Sequence, residues 1–467
     1  MYCQQCKPPG WGLPPRSTPG DRSRRAAPRG RRATKPLRRR SFFQTLTLGL
    51  LLAAAAGTGA RLIAAFEPGP AAAGPLKAPA PASPPARALT KQELQPFLAA
   101  HNFLNATETR VSLKGPEGCL TVQTSIDPGL QEFLVQRLDQ RHSRYIGIVV
   151  MDPADGRILA MAGYDKANPT ANPCLENRFP AASIFKIITA AAAVEVCDLE
   201  PDSPMDFQGG KYTLYRSQIE DRRTRSANRI SLKDSFAQSI NPVFGKLGVH
   251  ALGREVIESY AAAFGFNREI DFELPIRPSR IELSDEAFEL AEVASGFNRS
   301  TRISPLHGAL MAAAILNGGR LVDPTLIDWA TDESGRTVYQ SRFTASHRAV
   351  DPPTATVLRE MMRATVQSGT ARREFAKHHD DRILARLDIG GKTGSMGDGQ
   401  TSTRYDWFVG FAEDQRLSAR VVFSVVVAHE EFIGTRAAAY AAMAIKEYFR
   451  TQFARLEAPG ARPRERG

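Results

Sequence analysis

From about Gly118 to Glu457 the chain alternates short apolar runs, turn signals and amphipathic stretches. Tyr145–Asp152 and Arg157–Ala162 are two apolar runs separated by Pro153-Ala154-Asp155-Gly156, which predicts a β-hairpin. Leu387–Ser395, Asp406–Glu413 and Arg420–His429 predict three further strands. Arg436–Glu457 has the helical period of a segment that packs one face on a sheet. Residues 183–380 read as mostly helical. The fold class is therefore α/β: an antiparallel sheet flanked by helices, with an all-α subdomain and a cleft between the two.

Ahead of this region the pattern changes. Ser41–Ala60 holds twenty residues without a charge, followed by Arg61 and Leu62-Ile63-Ala64-Ala65-Phe66. Such a stretch is long enough to span a bilayer, and the Arg-rich flank before it places residues 1–41 in the cytoplasm. Residues 42–66 then read as a single transmembrane helix. A cleaved export signal is the alternative, since Arg39-Arg40-Ser41-Phe42-Phe43 resembles the twin-arginine pattern and small residues follow at Ala54, Ala56, Gly57 and Ala60. Either way the bulk of the chain lies outside the cytoplasm, on the periplasmic side of the inner membrane. Residues 67–117 form a Pro/Ala-rich spacer and a short helical lead-in, 118–457 the main domain, and 458–467 a disordered tail.

Charge changes the picture only once it is located. The net charge of +12 over 467 residues suggests nucleic acid, yet residues 1–41 carry twelve Lys or Arg against Asp21 alone, leaving +1 for the remainder. The basicity belongs to the tail, so nucleic acid is excluded as a partner of the main domain. At 42% hydrophobic and 24% charged, the chain is neither wholly disordered nor a polytopic membrane protein. Cys3 and Cys6 form a lone C-x-x-C without a second pair, which does not make a zinc site. His378-His379-Asp380-Asp381 reads as a polar turn rather than a metal site, because no further ligand stands at fixed spacing. No metal or cofactor is implied.

The chemistry gathers in three short segments. Ser183-Ile184-Phe185-Lys186 opens a helix-compatible run that Pro180 helps to start, and positions i and i+3 share a helical face. A serine hydroxyl becomes a nucleophile when a base takes its proton, and a lysine is that base only when burial or a nearby cation keeps it neutral. Ser239-Ile240-Asn241 lies in a helical run broken by Pro242. There Ser239 is placed to relay a proton to a leaving amine, and Asn241 to hold a substrate amide. Ser226-Ala227-Asn228 is a rival for that role, set among Arg222, Arg223, Arg225 and Arg229 as a solvated loop. Lys392-Thr393-Gly394-Ser395 ends a predicted strand, with Lys392 and Gly394 on one face and Thr393 on the other. Gly394 would let an extended substrate approach the sheet edge.

The ordered triple S-x-x-K, S-x-N, K-T-G resembles that of the penicillin-binding proteins and serine β-lactamases. The segments LTVQTSIDPGLQEFL, IGIVVMDPADGRILAMAGYD, ISPLHGALMAAAILNGGRLVDPTL, MMRATVQSGTARREF and YDWFVGFAE extend the resemblance over about residues 118–457. It implies a penicillin-binding transpeptidase domain, class-B-like and stand-alone, because no glycosyltransferase domain fits before residue 118. The implied activity is D,D-transpeptidation. The D-Ala-D-Ala end of a peptidoglycan stem peptide acylates Ser183, an amine of a second stem resolves the acyl-enzyme, and β-lactams inhibit covalently. By the same resemblance Lys186 is the general base, Ser239 and Asn241 the relay and substrate holder, and Lys392 and Thr393 hold the substrate carboxylate. The backbone N–H groups of Ser183 and Ser395 form the oxyanion hole. A D,D-carboxypeptidase, a serine β-lactamase and a non-catalytic penicillin sensor share these motifs. The chain departs from the family pattern at Ala182, usually Gly, and Ile184, usually Thr. A membrane-bound cell-wall synthesis complex is an expected partner.

Cys119, Cys174 and Cys197 lie in the extracytoplasmic part, where disulfides persist. A Cys174–Cys197 bridge would enclose Ser183, nine residues after the first and fourteen before the second. A helix from Ser183 to Cys197 spans about 21 Å, and nine extended residues reach about 30 Å, so the loop can close. Cys119 is a rival partner for either thiol.

Overall fold

The computed structural model describes residues 88–115, 118–220, 227–342, 345–376, 380–414 and 416–457. The basic tail, the apolar segment 42–66, most of the spacer, Ser226, His378, His379 and residues 458–467 lie outside them.

Five antiparallel strands form the main sheet, in the order Asp388–Gly397, Arg404–Asp414, Ala419–His429, Ser143–Met151, Ile158–Asp165. The hairpin expected around residues 153–156 and the three later strands are all present. Their side chains are buried on both faces, so little polar alternation shows in the sequence. In Ala419–His429, Val422, Val426 and Ala428 enter one apolar cluster, whereas Val421, Phe423, Val425 and Val427 enter another. The first cluster holds the helix Lys186–Val196, buried as far as Val194, and the helix Pro305–Leu316, buried throughout. The second holds the C-terminal helix Ala437–Glu457, which contributes Tyr440, Ala441, Ile445 and Phe449. Burying both faces of the central strands is the main apolar contribution to stability.

The insertion between Ile158–Asp165 and Asp388–Gly397 is mostly helical but not all-α. It contains the strand pair Pro204–Phe207 with Asn228–Ser231, and the strands Ile327–Thr331 and Thr337–Gln340. The latter two complete a second four-stranded sheet with Arg110–Gly115 and Gly118–Thr124. Residues 88–115, read from the sequence as a lead-in, are thus built into the folded unit. Thr90 caps the helix Lys91–Leu98 through a reciprocal pair with Glu93, and Leu94 and Leu98 are fully buried. Lys91 donates to the carbonyls of Asp271 and Pro324 at 3.0 and 2.8 Å. Pairing partners some 200 residues apart leave no local signature, which is why this sheet was not foreseen.

No helix among the described residues is long and apolar enough to cross a membrane. The expected Cys174–Cys197 bridge is absent. Cys174 is fully buried with its Sγ 3.5 Å from Ile148 O and 3.4 Å from Ala162 O on the main sheet, and burial pushes its thiol up to about 12. Cys197 caps the far end of the nucleophile helix, its Sγ 3.9 Å from Ala251 O. Chain length permits the closure, but packing sends the two thiols to different surroundings.

Candidate active site

Ser183 sits one turn ahead of the α-helix. Phe179–Pro180 pairs as a short strand with Arg302–Ile303, Ala182–Phe185 makes a single 3-10 turn, and the α-helix runs Lys186–Val196. Pro180 is therefore a strand residue rather than the helix starter expected, and its carbonyl is anchored by Trp407 Nε1 at 2.9 Å. Ala182 has φ +48°, a conformation that costs an alanine about 1 kcal/mol and a glycine almost nothing. Gly296 (φ +66°) ends the helix Ala287–Ser295 directly on this turn. A Cβ at Gly296 would lie 2.0 Å from Ala182 O and 3.0 Å from Ser183 N, so the close approach requires glycine.

Lys186 is fully buried beneath Ser183. Its Nζ lies 2.8 Å from Ser183 Oγ and 2.7 Å from Asn241 Oδ1, and it donates to the carbonyl of Ser295. Burial, and then the charge of Lys392, hold it well below the ordinary lysine range. The two oxygens of Asn241 and Ser295 can only accept. A neutral amine therefore spends both N–H groups on them and turns its lone pair to the Ser183 hydroxyl.

The second motif differs from the expectation of a helix broken by Pro242. Leu232–Ala237 ends before the motif, Ser239 takes φ +58°, and Asn241–Lys246 begins a new helix with Pro242 in its first turn. The bend belongs to Ser239, and Pro242 starts the next element, where its missing N–H costs nothing. Asn241 accepts from Lys186 and donates through Nδ2 to Tyr212 O at 2.9 Å, so it orients the base as well as facing the cleft.

On the edge strand Asp388–Gly397, Lys392 is fully buried and donates to Ser239 Oγ and to the carbonyl of Thr393, both at 2.9 Å. Burial pushes it down to about 7. Lys392 therefore supports Ser239 from within, and Thr393 takes the cleft face expected to hold the substrate carboxylate. The hydroxyls of Thr393 and Thr370 are hydrogen-bonded to each other, which leaves one of their two protons for the cleft. Gly394 makes room for the nucleophile turn rather than chiefly for substrate: a Cβ there would meet Ala182 Cβ, Ile184 Cγ1 and Trp407 Cβ, each at 3.3 Å. Ser395 is exposed, with Oγ 3.4 Å from Asp406 Oδ1.

Ser183, Ser239, Asn241, Thr393, Gly394 and Ser395 line one cleft of about 400 Å³, with Lys186 and Lys392 beneath it. Among the described residues no acidic or thiol cluster could hold a metal. The arrangement is that of a serine hydroxyl beside a buried lysine whose basicity is lowered, and a second hydroxyl placed to pass on a proton.

The family model for the penicillin binding protein transpeptidase domain matches residues 146–449. The chain belongs to the penicillin-binding protein transpeptidase family. Peptidoglycan D,D-transpeptidase PbpA of Mycolicibacterium smegmatis is 24% identical over 319 residues, 59% of this chain and 61% of that protein. The Mycobacterium tuberculosis PbpA is 25% identical over 352 residues, 66% and 67% of the two chains. This chain thus spans about three-fifths to two-thirds of the length of these curated relatives. Among solved structures, the D,D-transpeptidase domain of a peptidoglycan glycosyltransferase from Eggerthella lenta superposes with TM-score 0.57 at 26% identity, covering 71% of this chain and 83% of that one. Penicillin-binding protein A from M. tuberculosis, solved as an imipenem acyl-enzyme, has the same fold at TM-score 0.57 and 22% identity, covering 70% and 79%.

Several cleft residues were not found by motif reading. Tyr212, Phe297, Thr370, Glu374, Arg404, Asp406 and Arg436 also line the cleft. Thr370 lies in a segment that carried the family resemblance, and Asp406 is a lone charge in the apolar strand YDWFVGF, which was the available signal. The rival Ser226 lies outside the described residues, and Asn228 is exposed in the strand Asn228–Ser231.

Proposed function

We propose that this chain is a serine-type D,D-transpeptidase that cross-links peptidoglycan stem peptides and is acylated by β-lactams. The observation that carries the reading is Lys186, buried and hydrogen-bonded to Asn241 Oδ1 and Ser295 O with its nitrogen 2.8 Å from Ser183 Oγ, where burial lowers its hold on a proton. Ser183 Oγ attacks the carbonyl between the two terminal D-alanines while its proton passes to Lys186. Backbone N–H groups at Ser183 and Ser395 hold the negative oxygen that forms. The C–N bond then breaks, the departing D-Ala amine receives a proton through the Ser239 hydroxyl, and Ser183 keeps the acyl group. An amine of a second stem attacks the ester, gives up one proton to the base and releases Ser183. In a β-lactam the leaving nitrogen stays tethered in the ring, so the acyl-enzyme persists.

The apolar segment 42–66 and the basic flank before it support a single-pass anchor in the cytoplasmic membrane, with the catalytic unit outside. Such a tether suits work on a fixed cell-wall layer, with access to a membrane-bound synthesis complex.

Fluorescent penicillin added to the purified protein, followed by a stem-peptide assay, tests the function. Wild type is expected to label covalently and to form peptide dimers, and Ser183→Ala to do neither. Release of D-Ala without dimers would make it a carboxypeptidase. Rapid loss of the label as opened penicillin would make it a β-lactamase, and a stable label with no peptide turnover a sensor. A reporter fused after Arg87 should be active outside the cytoplasm. The full chain should stay with membranes after a high-salt wash, and a soluble, shortened form would instead indicate a cleaved signal.

A further inference from the structure

The nucleophile turn is held in a conformation that alanine resists. Ala182, one residue before Ser183, is fully buried at φ +48°, a conformation disfavoured about fivefold for alanine relative to glycine. Gly296 and Gly394 leave room for the turn, but a missing Cβ holds nothing in place. Two hydrogen bonds do: Ala181 N–H donates to Thr301 O, and the indole N–H of Trp407 to Pro180 O, both at 2.9 Å. The first comes from the helical insertion and the second from the main sheet. Trp407 is 0% exposed and its indole has a single donor, so this N–H has no second use. Its ring meets Phe179 edge-on with centroids 6.2 Å apart, and Tyr145 and Tyr405 close on the same Phe179 ring at 5.9 and 6.1 Å. Tyr405 and Trp407 share one face of the strand Arg404–Asp414, and Trp407 is the register partner of Gly394. The sheet that carries Lys392 thus grips the peptide two residues ahead of the strained alanine.

Resting on the transpeptidase reading of the cleft, we infer that Trp407 is a positioning residue whose N–H, by holding Pro180 O, keeps Ala182 in its left-handed conformation and Ser183 Oγ over Lys186. The need for it arises from Ala182 itself, where a glycine would take the same backbone angle without a tether. Once the tie is lost, an alanine relaxes toward negative φ and carries the Ser183 peptide with it. The hydroxyl then spends less time within reach of Lys186 Nζ, now 2.8 Å away. Such a misplacement slows the attack on the carbonyl rather than weakening the binding of substrate. Trp407 does not line the cleft, so it acts on the reaction through the turn and not by touching substrate.

Trp407→Phe keeps a flat ring against Phe179 and removes the N–H. With fluorescent penicillin over a range of concentrations, it should lower the limiting rate of Ser183 acylation about tenfold and leave the half-saturating concentration within about twofold. Ala182→Gly alone should change the rate by less than about twofold, and in the Trp407→Phe background it should restore about fivefold, because glycine needs no tether. A Trp407→Phe protein that acylates like wild type would overturn the inference. So would a loss confined to the half-saturating concentration, or an equal loss whether residue 182 is alanine or glycine. Should Trp407→Phe not fold, benzothienylalanine at position 407 keeps the ring size, replaces the N–H by sulfur and is read by the same criteria. Failure of both to fold would make Trp407 a folding residue and overturn the inference as well. A wild-type protein without any Ser183 label would instead remove the reading of the site, and the inference with it.

Discussion

The edge strand Asp388–Gly397 meets half-buried cations at its start and a fully buried one at its middle, and treats them in opposite ways. At its start, Arg363 from the helix Pro352–Gln367 forms a two-pronged pair with Asp388, and Arg359 pairs with Glu413 on the neighbouring strand. Four residues beyond the start, Lys392 is buried within electrostatic reach of Lys186, and among the described residues no carboxylate is paired with either. Hydrogen bonding to Asp388 raises Arg363 above its ordinary range, whereas burial lowers both lysines. A compensated cation keeps its charge and ties a helix to a strand. An uncompensated one gives up its proton and becomes a base. The difference lies in the partner and the side-chain chemistry: a guanidinium stays charged wherever it is placed, whereas an amine can be neutralised.

The largest expected effect tests the uncompensated lysines. Lys186→Arg keeps the positive charge and most of the length but cannot become neutral, so acylation by fluorescent penicillin should fall by about a thousandfold. A variant that acylates within about tenfold of wild type would show that a neutral base at this position is not needed.

The compensated end should answer in stability. Arg363→Ala leaves Asp388 without its bidentate partner and should lower the unfolding free energy by about 1–2 kcal/mol. That is below the figure for a fully buried pair, since the two side chains keep 30% and 21% exposure. Urea denaturation measures it. Acylation should stay within about twofold, because the site is several residues away. A loss of acylation far beyond this would mean that the start and the middle of the strand do not act separately.

A pH profile separates the two sites. Lys392 titrates at about 7 in the fold, whereas a lysine in the unfolded chain titrates near about 10.4. Below about pH 7 both states are charged, and the folded state bears the full cost of burying that charge. Between the two values the unfolded chain holds a proton that the fold has released, so stability rises with pH, by at most about 1.4 kcal/mol per unit for one group. Lys392→Met should flatten that rise between pH 7 and 10 relative to wild type, and Arg363→Ala should leave it unchanged. Equal slopes in wild type and Lys392→Met would show that Lys392 does not lose its proton on folding.

Much of this was legible in the chain itself. The strands of the main sheet announce themselves through β-branched runs such as VVFSVVVAH, and the last helix through its period. Ser183, Lys186, Ser239, Asn241 and Lys392 stand in three ordered motifs that the fold brings to one cleft. These features are local, and side-chain type and spacing fix them before any long-range contact forms. The roles of two prolines were misjudged for the converse reason. Pro180 is held in a strand by Arg302, more than a hundred residues away, and the bend credited to Pro242 comes from the left-handed backbone of Ser239.

The sequence by itself determined which groups could react: a serine and a lysine three residues apart, a hydroxyl and an amide two apart, and a K-T-G-S strand end. It also determined that the strands are apolar enough to be covered on both faces. The tertiary structure alone decided that Lys186 and Lys392 lie buried together without a carboxylate. It also decided that Gly296 presses on the nucleophile turn, that Cys174 and Cys197 do not meet, and that Trp407 holds Pro180 ahead of that turn. Each of these depends on the distance between residues far apart in the chain, and a proton's affinity is set by what surrounds a group in space, which spacing along a sequence does not encode.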